Sequence, residues 1–159
     1  MDETRLIEDI NLQIENLERL NKEINELLAQ LKESPDFIQI RACASILQDF
    51  YSGIEKIFER IALIVDNNLP RGENWHIELL SQMANPFSKI RPAIISKDLY
   101  EKLKEYLKLR HLARHIYGFE LKWERLRPLV SAMSDVFNDF KKGIQKFLDD
   151  LKSDEQCGE

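Results

Sequence analysis

Apolar residues recur at three- and four-residue spacing through most of the chain, the period of a helix that buries one stripe. Over residues 3–32 they fall at Ile10, Ile14, Leu17, Ile24, Leu28 and Leu31, with Leu20 and Leu27 widening the stripe and Asn21 interrupting it. Glu and Lys fill many of the other positions, so this segment reads as one long, coiled-coil-like helix. Ser34 and Pro35 supply an N-cap and a first helical position for a second helix. It runs from about Asp36 to Val65 and turns Phe37, Ile40, Ala44, Leu47, Tyr51, Ile54, Phe58, Ile61 and Val65 inward. Gly53 lies inside it, where Gly costs ~1 kcal/mol relative to Ala. A close helix crossing at Gly53 would offset that cost.

Residues 66–74, DNNLPRGEN, break the pattern and read as a loop. Trp75 to Met83 is long enough for a short helix. Residues 85–95 read as irregular, because Pro86 and Pro92 both lack a backbone donor. Ser96 caps the next helix, with Asp98 well placed for its dipole. That helix is expected to run from Lys97 to about Tyr117, with Gly118 in the left-handed turn that ends it. A last helix spans roughly 121–152, and Pro128 either kinks it or marks its true start. The expectation is an all-α fold, an up-and-down bundle of four long helices plus one short helix. Residues 1–152 form a single domain, in which 1–33 is the long N-terminal helix and 66–95 an irregular insert. Residues 153–159 form a flexible tail.

The composition suits this reading, with 43% hydrophobic and 32% charged residues and only five Gly and five Pro in 159 residues. It excludes collagen-like, low-complexity and strongly disordered chains. The longest purely apolar run, Ile61 to Val65, is far short of the ~20 residues of a membrane helix. MDETRLIEDI carries acids where a signal peptide carries a basic stretch, so a cytoplasmic chain without a membrane partner is expected. Cys43 and Cys157 have no metal-ligand spacing and staple nothing of this size. Net charge is −5, yet residues 102–127 hold eight Lys or Arg against three Glu. A concentrated basic segment attracts phosphates locally even in an acidic protein.

Chemically capable residues gather inside that segment. In Arg110-His111-Leu112-Ala113-Arg114-His115-Ile116-Tyr117, helical spacing puts Arg110 and Arg114 on one face and His111 and His115 on the next. Leu109, Leu112 and Ile116 form a separate docking stripe. Three readings stay open on spacing alone. Basic residues near a helix C-terminus interact with its dipole and free carbonyls without any catalysis. Two histidines four apart can chelate a metal ion, although the Glu of H-E-x-x-H is missing and His76, the remaining histidine, is distant in sequence. The third reading is metal-free RNA cleavage. Histidine suits proton transfer from a ribose 2′-hydroxyl, and arginine suits the charged phosphorane-like transition state. Arg110 and His115 lie about 140° apart round a helix, so convergence on one phosphate calls for two copies facing across a twofold axis.

Arg110, four residues, His115, one residue, Tyr117 resembles the R-x-x-x-x-H-x-Y signature of HepT toxins within the wider HEPN family. The strings LRHLARHIYGFELKWERLRPLV and DFYSGIEKIFERIA are similar to the HepT-like branch. The resemblance implies an all-helical, dimeric, metal-independent endoribonuclease, the toxin of a type VII-like toxin–antitoxin pair, needing no cofactor. Arg110 and His115 would be the catalytic pair, with His111 and Arg114 as auxiliary or RNA-binding residues. Its partners would be RNA (tRNA or mRNA), a second copy, and a minimal nucleotidyltransferase (MNT) antitoxin that attaches AMP to Tyr117. The alternative is a non-catalytic HEPN-like adaptor that binds a nucleotidyltransferase or RNA. The long first helix and the insert make this chain larger than a minimal family member. Asp49 and Glu55 of the second helix are further candidates to assist the site, or are solvated or helix-pairing carboxylates. Tyr100, Tyr106, Phe119 and Trp123 are candidates for base stacking or for core or dimer contacts.

Overall fold

The computed structural model describes residues 2–157. Its elements are α1 (Asp2–Gln30), α2 (Phe37–Ile64), α3 (Trp75–Met83), α4 (Lys97–Ala113) and α5 (Trp123–Cys157), with a 3-10 turn at Gly118–Glu120. The fold is all-α, a HEPN-like bundle of four long helices and one short one. Among the described residues the sole extended pairing is an isolated bridge between Phe87 and Arg91. No helix there is long and apolar enough to cross a membrane.

α2 is the central helix. It packs against every other helix, while α5 also covers α1 and α4, and α3 leans on α4. Its apolar stripe is buried through Phe50, Tyr51, Ile54, Phe58 and Ile61. Aromatic edges lock the layers together: Phe50 meets Tyr106 of α4 at 5.4 Å and Phe137 of α5 at 6.3 Å, and Phe58 meets Phe140 at 5.6 Å. Such edge-to-face pairs add ~0.5–1.5 kcal/mol each beyond simple burial. The hydroxyl of Tyr106 donates to the Leu129 carbonyl at 2.7 Å and so ties α4 to α5.

Gly53 faces Leu17 of α1. A Cβ there would fall 2.7 Å from Leu17 Cδ2, so the missing side chain is what lets the helices approach. Asn21, the polar break in the α1 stripe, accepts a hydrogen bond from Ser134 of α5 at 2.9 Å.

Several boundaries depart from the sequence reading. Asp36, rather than Ser34, caps α2: its carboxylate accepts the Gln39 N–H at 2.9 Å, and that bond holds its carboxyl below its ordinary pKa. Phe37, expected to face inward, is 68% exposed, because the buried stripe begins only at Cys43. α4 stops at Ala113 instead of Tyr117. Gly118 does not adopt a left-handed conformation; no described glycine has positive φ. It opens the 3-10 turn instead, and a Cβ there would fall 2.8 Å from the guanidinium carbon of Arg41. Pro128 does not mark the start of α5, which begins at Trp123 and passes through it. α5 also continues past Ser153 to Cys157, within the expected tail; residues 158–159 of that tail lie outside the described residues.

The insert is ordered by a buried ion pair. Arg91 donates from Nε and Nη2 to the two Asp66 oxygens at 2.7 and 2.6 Å, and Gln82 adds a 2.8 Å bond to the same carboxylate. Further donation from Arg91 satisfies the carbonyls of Asn85 and Pro92. A fork with every oxygen partnered is the geometry in which a buried pair is tolerated. The insert returns to the bundle at Ile94, whose carbonyl lies 2.6 Å from where a Gly143 Cβ would stand. α3 is thereby fixed against α2 and α4.

Candidate functional site

The site forms where α4 ends. Ser96 starts that helix by accepting the Leu99 N–H at 3.0 Å, and Leu99, Leu103, Tyr106 and Leu109 bury its inner face. This register leaves Arg110 and His111 in the last helical turn and Arg114 as the C-cap. His115 then lies one residue beyond the C-cap, its N–H donating to the Leu112 carbonyl at 3.0 Å. The 140° separation expected of Arg110 and His115 assumes a helix continuous through His115, and α4 ends before it.

Arg110 turns into the bundle. Its side chain is only 14% exposed and lies 3.6 Å from a carboxylate oxygen of Glu55, a residue of α2 that is itself 4% exposed. The other oxygen of Glu55 takes His76 Nδ1 at 2.8 Å. Glu55 therefore joins α2, α3 and α4 through one buried carboxylate. Tyr51, one turn earlier on α2, has a buried hydroxyl with no hydrogen-bond partner; burial, and then the Glu55 charge, push its pKa far up, so it stays neutral. Glu59, one turn later, is raised by burial first and by Glu55 second.

The His111 and His115 rings meet edge to face, 4.7 Å between centroids. Both line an open cavity of about 610 Å³, and His76 of α3 lines it too. Lys104, Lys108 and Arg125 bring positive charge to the same cavity, over a floor of Ile77, Leu107 and Leu112. Lys104 and Lys108 also reach Glu101 and Glu105 at 3.0 and 3.2 Å. Such exposed pairs are worth little and exchange readily for a phosphate. A slightly larger groove, about 700 Å³, lies at the start of α5 and holds no histidine.

Arg110, Arg114 and Tyr117 do not line the histidine cavity. Arg114 is exposed, and the Tyr117 ring, 71% exposed, stacks on Phe119 with centroids 5.2 Å apart and planes 9° apart. The Tyr117 N–H donates to Glu120 at 2.9 Å, which fixes the backbone beneath the ring. Among the aromatic candidates Tyr106 is core, whereas Phe119 is 72% exposed. Among the described residues no three His, Cys, Asp or Glu side chains gather in a way that would hold a metal ion.

The spacing of the motif did not disclose the two groups behind it. His76 is 34 residues from Arg110 in the chain, and the fold of the insert brings it to Glu55 and to the cavity of His111 and His115. A signal for Glu55 did exist: it lies four residues after Tyr51 and three before Phe58, so it shares the buried face with both. A carboxylate there needs a cationic partner.

A family described as HepT-like protein matches residues 42–151, which is most of the chain. The match takes in all of α3, α4 and the turn carrying Tyr117, together with nearly all of α2 and most of α5. The chain belongs to the HepT-like family, a branch of the HEPN proteins. No curated protein and no solved structure matches it.

Proposed function

We propose that this protein is a metal-independent endoribonuclease toxin of a HepT/MNT-type pair, acting as a homodimer whose cleft draws on both protomers. The observation that carries the proposal is the His111–His115 ring pair in a cationic cavity, at the end of the helix whose Arg110 is held by Glu55. In this reading His115 takes the proton of a ribose 2′-hydroxyl as that oxygen attacks phosphorus. Arg110 stabilises the phosphorane-like transition state, because its fork never loses charge. His111 and Arg114 hold the flanking backbone. Products end in a 2′,3′-cyclic phosphate and a 5′-hydroxyl. Histidine and arginine supply every group the reaction needs, so cleavage persists in EDTA. Arg110→Ala and His115→Ala abolish it while leaving the circular dichroism spectrum intact. Loss of cleavage in EDTA, or full activity in both variants, contradicts the reading.

Tyr117 is the proposed silencing site. Its exposed ring is open to an MNT-type antitoxin, and an adenylyl group there adds negative charge and bulk two residues after His115 and three after Arg114. Tyr117→Phe should leave cleavage near wild type yet escape silencing on co-expression with such an enzyme, gaining no adenylyl mass.

A second reading draws on the same ion pair. Arg110 is already partnered and mostly buried, as a purely structural arginine would be. On that reading the protein is a non-catalytic adaptor that binds a nucleotidyltransferase or RNA, and Arg110→Ala lowers stability with no cleavage to lose.

A further inference from the structure

We propose that His76 is a second proton-transfer residue of this cleft, the general acid that protonates the departing 5′-oxygen, with Glu55 as its positioning residue. This rests on the ribonuclease reading above and assigns a role outside the Arg110–His115 signature. His76 comes from α3, in the insert, yet it lines the same cavity as His111 and His115. Its Nδ1 is engaged by Glu55 at 2.8 Å, and its ring lies against Trp75 with centroids 3.6 Å apart. A buried carboxylate on Nδ1 fixes the imidazole orientation, leaving Nε2 for the substrate. The imidazole is 31% exposed, open enough to exchange protons with solvent between turnovers. The Arg91–Asp66 fork orders the loop behind α3, so the acid is carried on a rigid support.

The proton count closes. The 2′-hydroxyl forms its bond to phosphorus and gives its proton to His115. The bond from phosphorus to the 5′-oxygen breaks, and that oxygen takes a proton from His76 Nε2. His115 ends protonated and His76 neutral, and solvent restores both.

The test is a pair of RNA oligonucleotides, one with an ordinary scissile linkage and one with sulfur in place of the bridging 5′-oxygen. An alkoxide needs a proton to leave, as the ~15.7 pKa of water indicates, whereas a thiolate, with thiol pKa ~8.5, does not. The variants are His76→Asn, whose amide can still reach Glu55, and His76→Gln, used if the first fails to fold by circular dichroism. The expected result is a loss of on the order of 10²-fold on the ordinary linkage and near wild-type cleavage of the sulfur linkage. His115→Ala is expected to lose both. Equal losses on the two linkages, or no loss on either, overturn the role of His76 while the ribonuclease reading stands. A wild-type protein that cuts neither substrate overturns both.

Discussion

Arg110 and Glu55 sit 3.6 Å apart across the α2–α4 contact, the arginine 14% exposed and the carboxylate 6%. The pairing has two consequences. It removes a bare charge from the bundle, since an unpartnered carboxylate at that depth is costly. It also sets the Arg110 guanidinium against α2, close to the Glu55 carboxylate. His76 on the second oxygen of Glu55 makes the same carboxylate the hinge between the signature helix and the insert.

Glu55→Gln keeps the shape and an acceptor for His76 but removes the charge that holds Arg110. Cleavage should fall on the order of 10²-fold, as misplacement of a transition-state group by about 1 Å does, with the protein still folded. Rates on an RNA pool, measured alongside a melting curve, check this. Unchanged cleavage would mean that Arg110 needs no support from α2.

The insert should depend on its buried fork. Arg91→Met leaves the Asp66 carboxylate buried without its cation, and breaking such a pair costs ~3–5 kcal/mol. Chemical denaturation should show that loss. Hydrogen exchange should rise first in residues 66–95, before the bundle opens. A uniform rise across α1, α2 and α5 would show that the insert is no separate unit of stability.

Gly53→Ala should destabilise, although Ala is the better helix former. The new methyl meets Leu17 at 2.7 Å, and Leu17 is fully buried, so overpacking of ~1–3 kcal/mol opposes a propensity gain of ~1 kcal/mol. A midpoint of urea unfolding above wild type would show that α1 moves away freely at this crossing.

Glu59 gives a dependence on pH. Burial and the nearby Glu55 charge raise its pKa in the folded state above its ordinary 4.5. A raised folded pKa means that the folded form binds the proton more tightly, so this contribution is fully present below the unfolded pKa and is lost as pH rises through the folded one. Glu59→Gln should therefore raise the melting temperature at pH 7, and the gain should vanish near pH 4. A gain that is equal at both values would exclude the charge as its source.

The helices were legible because their stripes are long and their caps local: Ser96 and the short α3 follow from a few neighbouring residues. Errors came where tertiary contacts decide. Gly118 signals a left-handed turn, but it opens a 3-10 turn without positive φ, against the flexible end of Arg41, 77 residues earlier in the chain. Phe37 fits the stripe of α2 by period, yet nothing in the period reveals that the buried part starts at Cys43. In the site, the adjacency of His111 and His115 follows from spacing four and holds. The Glu55–His76 contact spans 21 residues and a loop, and the Asp66–Arg91 fork that shapes that loop spans 25. Neither separation carries a helical period.

The most direct test of the ribonuclease claim is induced expression of wild type beside His115→Ala. Growth and total RNA are followed together, after intact mass has established that Tyr117 is unmodified. Wild type should arrest growth and fragment RNA, while the folded His115→Ala protein should do neither. If both proteins are unmodified and harmless, and neither cuts any RNA offered to it, the catalytic claim is contradicted and the adaptor reading replaces it.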